Sequence, residues 1–331
     1  MTIKEIENKF GPQYSAEIAF TKKARSLQSI YRVEYLKEKD FGVGPNKNST
    51  KLNKETNLQE SSYYGNMIIN GKKTGKNFFY PQTFEYALER VKGKNSSETI
   101  GEYRLFNNLL SSMPMAFNLF HPLIMMKEEN PNALNNIIKA LFPKLPIHNV
   151  DSILIEFVPI PISKYTNDKS AMDVAILFSD DKNNKYIIAI ETKYTDSLGK
   201  NKASDNKLKY DTAKDSELFT DEGLCHISEG CTQIYRNFLL TEKYRMVKNL
   251  KDSFSIILAP EQHPSTKNEI ESLLKYIKPE YHYKLEKYSL EDFIKTLKSK
   301  CPDSNSKWIQ WFDDRYLDFN LAEQLLEKTK A

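Results

Sequence analysis

Residues 186–194 read Tyr-Ile-Ile-Ala-Ile-Glu-Thr-Lys-Tyr, an apolar run that closes on Glu191-Thr192-Lys193. Side chains alternate along a strand. The alternation predicts Glu191 and Lys193 on one face, with Ile187 and Ala189 behind them, and Thr192, Ile190 and Ile188 on the other. A carboxylate and an ammonium at the end of a buried strand are costly as structure alone. The run therefore demands a sheet around it and a chemical use for its last residues.

The preceding sequence supplies the sheet. Ser152–Ile160, Met172–Phe178 and Lys185–Tyr194 are strand-like, and Ser-Asp-Asp-Lys-Asn-Asn between the last two is a hairpin turn signal. Asp173 opens the middle strand, so counting back from the turn sets it at the depth of Glu191. A helix predicted over His226–Tyr244 and a strand over Phe254–Ala259 follow. The predicted order is helix, three strands, helix, strand.

Two converging carboxylates suit Mg²⁺, which binds one or two of them and keeps several waters, with Mn²⁺ as a substitute. Such a metal makes a bound water more acidic and stabilises charge on a phosphate and its leaving oxygen. Lys193 is placed to orient or help deprotonate that water and to offset phosphate charge. The chemistry that fits is hydrolysis of a phosphodiester.

Asp173 followed by Glu191-Thr192-Lys193, on adjacent strands in this order of elements, resembles the PD-(D/E)XK nuclease superfamily across roughly residues 97–260. Met172 stands where that motif often has Pro. Ser-Ser-Met-Pro-Met-Ala-Phe-Asn-Leu-Phe (111–120), Glu156-Phe-Val-Pro159, Glu-Thr-Lys-Tyr-Thr-Asp-Ser (191–197) and Gln233-Ile-Tyr-Arg236-Asn237 further resemble a bacterial subgroup of restriction endonucleases. The resemblance implies an α/β restriction-endonuclease-like core with a mixed central sheet and added helices. It implies Asp173 and Glu191 as metal ligands and Lys193 as the catalytic lysine. DNA is then the partner, in restriction or phage defence, with a cognate methyltransferase beside it. Cutting both strands ordinarily takes two active sites, hence a homodimer. The same site would serve a structure-specific repair nuclease or an RNA-directed one. A catalytically inactive nucleic-acid-binding protein on the same fold is a third reading, disfavoured by the intact Asp, Glu and Lys.

Other residues carry two readings each. Glu156 interrupts an apolar strand and is either a further metal-site acid or a charge on a solvated face. Gln233 and Asn237 lie four apart on one helix with Arg236 alongside, and either hold phosphate or water at the site or form a polar stripe; Gln233 is the one assigned to the site. Thr99 and Glu102 read as a Thr-x-x-Glu capping box opening a helix to about Ser112, which accounts for Glu102; the resemblance offers it the other reading of a site acid on the first helix. Cys225, His226 and Cys231 match no common zinc spacing. No Walker-type loop or Ser/His/Asp ordering is present. The tract holding Trp308, Trp311, Phe312, Tyr316 and Phe319 reads as helical core.

Charge divides the chain. Residues 1–94 carry 17 Lys and Arg against 10 Asp and Glu, which suits contact with a polyanion. We read 1–94 as a basic region for DNA contacts, 95–262 as the catalytic core and 263–331 as an α/β extension packed on it. Three cysteines without a Cys-x-x-Cys, no apolar run near the ~18 residues of a membrane span, and no signal-peptide core predict a soluble, cytoplasmic protein.

Further expected elements are a helix over 15–39, a loop over 40–62, short strands at 63–69 and 77–80, helices at 83–91, 132–142, 267–277 and 290–298, a polar loop over 199–222 and a strand at 281–287.

Overall fold

A computed structural model describes residues 3–14, 16–45, 61–199, 202 and 207–320. A small ribbon, β1 (Val43–Pro45) with β2 (Ser61–Tyr63), precedes the main sheet. The main sheet is β3 (Asn149–Phe157), β4 (Met172–Ser179), β5 (Lys185–Thr192), β6 (Asp252–Ala259) and β7 (Leu285–Ser289), in that spatial order. β3, β4 and β5 form an antiparallel meander, whereas β6 and β7 join in parallel, so the sheet is mixed. The three predicted core strands and their hairpin are all present.

The turn between β4 and β5 is held by one side chain. Asp180 accepts from the backbone N–H of Lys182 (3.0 Å) and of Asn184 (2.8 Å), from the Asn184 amide (2.7 Å) and from the Tyr186 hydroxyl (2.9 Å). Asn183 takes the left-handed backbone conformation such a turn requires.

Alternation along the strands splits the sheet into two faces. Val174, Ile176, Ile188 and Ile190 pack with the helices Ser112–Glu129, Pro131–Leu141, Leu290–Lys300 and Ser306–Tyr316. Ala175, Ile187 and Ala189 pack against Leu240 and Tyr244 of the helix Gln233–Lys248. The chain is therefore a sheet between two helical layers, which is how a half-parallel sheet buries both faces.

The helices Ala19–Glu34 and Ser306–Tyr316 meet. In the helix Ser306–Tyr316, Arg315 is fully buried, donates to the Asn77 carbonyl at 2.9 Å and bonds the Asn77 side chain. Gln28, on the helix Ala19–Glu34, donates to the Arg315 carbonyl at 2.6 Å. Trp308 donates to the Asn118 carbonyl at 2.8 Å, so the C-terminal aromatic tract is core, as expected.

Several local expectations fail for stated reasons. No Thr99–Glu102 capping box forms: the helix runs Glu102–Asn107 with Gly101 at its N-cap, and exposed Glu102 pairs with Lys72 at 2.8 Å instead. No strand forms at 77–80, where the Asn118 side chain accepts from Phe79 N–H and donates to the Asn77 carbonyl, and beyond Tyr63 residues 64–69 form no strand, Met67 making only an isolated bridge to Asn108. The polar stretch 199–222 contains the helix Lys207–Ser216. One helix over 226–244 is in fact two, Asp221–Glu229 and Gln233–Lys248, broken at Gly230, whose φ of +135° only glycine adopts readily. The strand expected at 281–287 forms later, at Leu285–Ser289, and Ser289 caps the next helix by accepting from Asp292 N–H at 3.2 Å, as expected. Of the predicted loop over 40–62, residues 46–60 lie outside the described residues.

Candidate active site

The pairing of the strands lines up three carboxylates. Ile155 pairs with Val174 and Phe157 with Met172, so Glu156 on β3 faces Asp173 on β4. Val174 pairs with Ile190, and one step further along that register sets Asp173 against Glu191 on β5. Paired residues in antiparallel strands share a face. The row points toward the helix Gln233–Lys248, and all three residues line one cleft of about 380 Å³.

Glu191 is buried and held from three sides. Its Oε1 receives Lys193 Nζ at 2.8 Å and Gln233 Nε2 at 2.8 Å, and its Oε2 receives Asn237 Nδ2 at 2.5 Å. Gln233 is itself fixed, accepting from Gly199 N–H at 2.7 Å. The structure thus brings together all five residues singled out in the sequence: Glu156, Asp173, Glu191, Lys193 and Gln233. Asn237, one helical turn beyond Gln233, joins them, and the polar stripe of that helix faces the carboxylates.

Asp173 Oδ2 accepts both the backbone N–H (2.8 Å) and the hydroxyl (2.9 Å) of Thr192. Strict alternation places Thr192 on the opposite face. At the end of β5 the backbone donor already reaches Asp173, and the hydroxyl turns back to the same oxygen.

The charge balance of the row is negative. Burial, then Glu191, pushes the Asp173 carboxyl up to about 7, against the pull of Lys193 and Thr192. Burial, then Asp173, pushes Glu156 up to about 8, with Arg104 and Arg90 opposing. For Lys193, burial alone lowers the pKa, but Glu191 and Asp173 outweigh it and hold the ammonium above the ordinary lysine range. Lys193 is therefore a firmly charged cation here, suited to electrostatic work.

Sequence reasoning missed part of the wall. Arg104 comes from the helix Glu102–Asn107 and Lys169 from the loop before β4; both line the cleft, together with Arg236, which the sequence had set beside Gln233 and Asn237. Arg104 lies two residues beyond Glu102, the candidate that the sequence offered from that helix, and so nearly on its opposite side. Only the packing of the helix against the sheet tells which of the two turns inward.

A family model described as the PD-(D/E)XK nuclease superfamily matches residues 15–318. The chain belongs to that superfamily. No curated protein and no solved structure matches it. As a PD-(D/E)XK nuclease it joins a group that generally uses divalent metal ions to act on nucleic acid. Among the described residues, no group of three or more His, Cys, Asp and Glu side chains forms a cage that could hold a metal by itself. Cys225 is exposed and Cys231 buried, without a zinc set around them. The hard oxygens of the row nevertheless fit an ion that takes one or two carboxylates and completes its shell with water. The raised pKa of Asp173 and Glu156 expresses negative charge that a dication would relieve. Among the described residues no helix is long and apolar enough to cross a membrane.

Proposed function

We propose that this nuclease is a Mg²⁺-dependent endonuclease hydrolysing DNA phosphodiester bonds, in restriction or phage defence. The observation that carries the reading is the Asp173–Glu191 pair on adjacent strands with Lys193 bound to Glu191 at 2.8 Å. Asp173 and Glu191 are the residues to hold the metal, with Glu156 beside them in the row. The bound ion supplies a more acidic water and a counter-charge for the phosphate.

The protein's own groups do the rest. Gln233 and Asn237 fix the orientation of Glu191, while Thr192 fixes Asp173. Lys193 carries its positive charge to the edge of the cleft, where it offsets phosphate charge and orients water. Arg104, Lys169 and Arg236 give the cleft cationic walls around an acidic floor, which suits a polyanionic backbone lying across it. The lysine-rich first 94 residues extend the same attraction. Cutting both strands of a duplex calls for two such sites, hence a homodimer, and a restriction role calls for a partner methyltransferase.

The decisive experiment incubates supercoiled plasmid and, separately, an RNA transcript with the protein and Mg²⁺, beside Lys193→Ala and Asp173→Ala. Plasmid cleavage that both substitutions abolish is expected. Equal cleavage by wild type and both variants sinks the assignment, and cleavage of the transcript alone moves the substrate to RNA.

A further inference from the structure

Glu156 has a backbone that its side chain should not tolerate. Its φ is +53°, the left-handed region, and the residue is neither Gly, Asn nor Asp. It is also buried. The packing changes face here on both paired strands, since Met172, the partner of Phe157, packs on the side of Leu240 and Tyr244 although Val174 packs on the other. Ile155 belongs to the core on one face of the sheet, while Phe157 packs on the other face, although residues two apart in a regular strand share a face. The pairing register is constant from Ser152 to Phe157, the one shift lying further back at Val150/Ser152, so no extra residue accounts for the turn-over.

A single helix grips this twist. From Pro81–Lys92, Arg90 Nη2 donates to the Glu156 carbonyl at 3.0 Å and to Glu98 Oε1 at 2.6 Å. Glu98 Oε2 in turn accepts from Asn95 N–H at 2.8 Å, which ties the pair to the following loop. One turn earlier on the same helix, the Tyr86 phenol lies close to the backbone of Ile155. Tyr86 is itself wedged, its ring stacked on His121 at 4.5 Å, and His121 is hydrogen-bonded to Thr83 at 3.0 Å. Arg90 and Tyr86, four apart on one helix and so facing the same way, both lie against this stretch of β3, and Arg90 holds its Glu156 carbonyl.

Resting on the nuclease reading, we propose that Arg90, braced by Glu98, is a positioning residue: it holds the Glu156 backbone in its left-handed conformation and so aims the Glu156 carboxylate into the row with Asp173 and Glu191. Arg90 acts through Glu156 and touches neither metal nor substrate. Strain kept at a functional site persists only where the surroundings over-determine it, and the Arg90 hydrogen bond, braced by Glu98, supplies that determination. Glycine at position 156 needs no such grip, because it adopts this φ without strain.

The test is a double-mutant cycle between Arg90→Ala and Glu156→Gly, read by Mn²⁺ binding without substrate and by plasmid cleavage. Arg90→Ala in the wild-type background is expected to weaken Mn²⁺ binding severalfold and to lower kcat about tenfold with KM unchanged. In the Glu156→Gly background it is expected to change neither. Glu98→Gln should reproduce part of the effect. Equal losses in both backgrounds show a merely structural role and overturn the proposal, as does wild-type Mn²⁺ affinity in Arg90→Ala. The Mn²⁺ arm decides the positioning role even if plasmid cleavage proves independent of Asp173 and Lys193, which overturns the nuclease reading by itself.

Discussion

Thr192 donates its backbone N–H and its hydroxyl to the same oxygen of Asp173, at 2.8 and 2.9 Å, so the middle residue of the Glu-Thr-Lys run serves the carboxylate on the neighbouring strand. This leaves Asp173 Oδ1 as the oxygen free to turn toward the cleft. Thr192→Val keeps the backbone donor and the shape of the side chain and removes only the hydroxyl. One hydrogen bond to a charged group is worth about 1.5–3 kcal/mol. The expected result is a loss of roughly tenfold or more in plasmid cleavage at pH 7 and a fall of a few degrees in melting temperature.

Asn237 should matter as much as the residues the sequence singled out. Its amide is the donor to Glu191 Oε2, and Glu191 is buried. Leaving a buried acceptor without its donor costs about 1–3 kcal/mol. Asn237→Leu is therefore expected to lower thermal stability by a few degrees and to reduce cleavage strongly. Asn237→Asp should do worse in metal-free protein, since it sets a second carboxylate against the first.

The acidic row makes stability depend on pH and metal together. Asp173 and Glu156 ionise near 7 and 8 in the fold, against 3.8 and 4.5 ordinarily. A raised folded pKa means that the native state binds the proton more tightly than the unfolded chain. Their contribution is full below about pH 4 and is lost as pH rises through 7 to 8. Metal-free protein should consequently melt at a higher temperature when Asp173→Asn is introduced, measured at pH 8. Added Mg²⁺ or Mn²⁺ should raise the melting temperature of wild type at that pH and leave Asp173→Asn nearly unmoved.

Two histidines pull the other way. Burial lowers His121 and His263 from 6.5 to about 4. Their neutral forms stabilise the fold fully above pH 6.5, and that stability drains away as pH falls toward 4, because only the unfolded chain takes up the proton. Replacing His121 with Asn should flatten the acid side of the stability curve, followed by chemical denaturation between pH 4 and 7.

Arg315 offers a test remote from the cleft. Removing a fully buried guanidinium strands the Asn77 and Gln28 groups it bonds, at about 1–3 kcal/mol for each unsatisfied group. Arg315→Leu is expected to lower the melting temperature by several degrees while residual folded protein keeps its metal affinity.

What the sequence disclosed and what it hid follow from the range of the forces involved. Strands β3 to β5 were legible because alternation, apolar runs and the turn before Lys185 are local signals. Asp173 opposite Glu191 followed by counting. Thr192 was assigned to the far face, because alternation takes no account of a strand end. The helix Lys207–Ser216 was missed since its residues are polar; Lys209 there is only 1% exposed, paired with Asp168 at 3.0 Å and bonded to the Thr166 carbonyl. Arg90, Arg104 and Tyr86 were silent because their partners lie tens of residues away, and no periodicity records such a contact.

The turn closed by Asp180 contains no group that touches the cleft, yet it decides whether a cleft site exists. Pairing in steps of one residue means that a single residue inserted between Asp180 and Asn184 could slide β5 along β4 by one place. The apolar residues of β5 would trade faces, and Glu191 would swing from Asp173 into the helical layer of the core. The catalytic geometry is in that sense a matter of counting, and the count is kept by a hairpin five residues long.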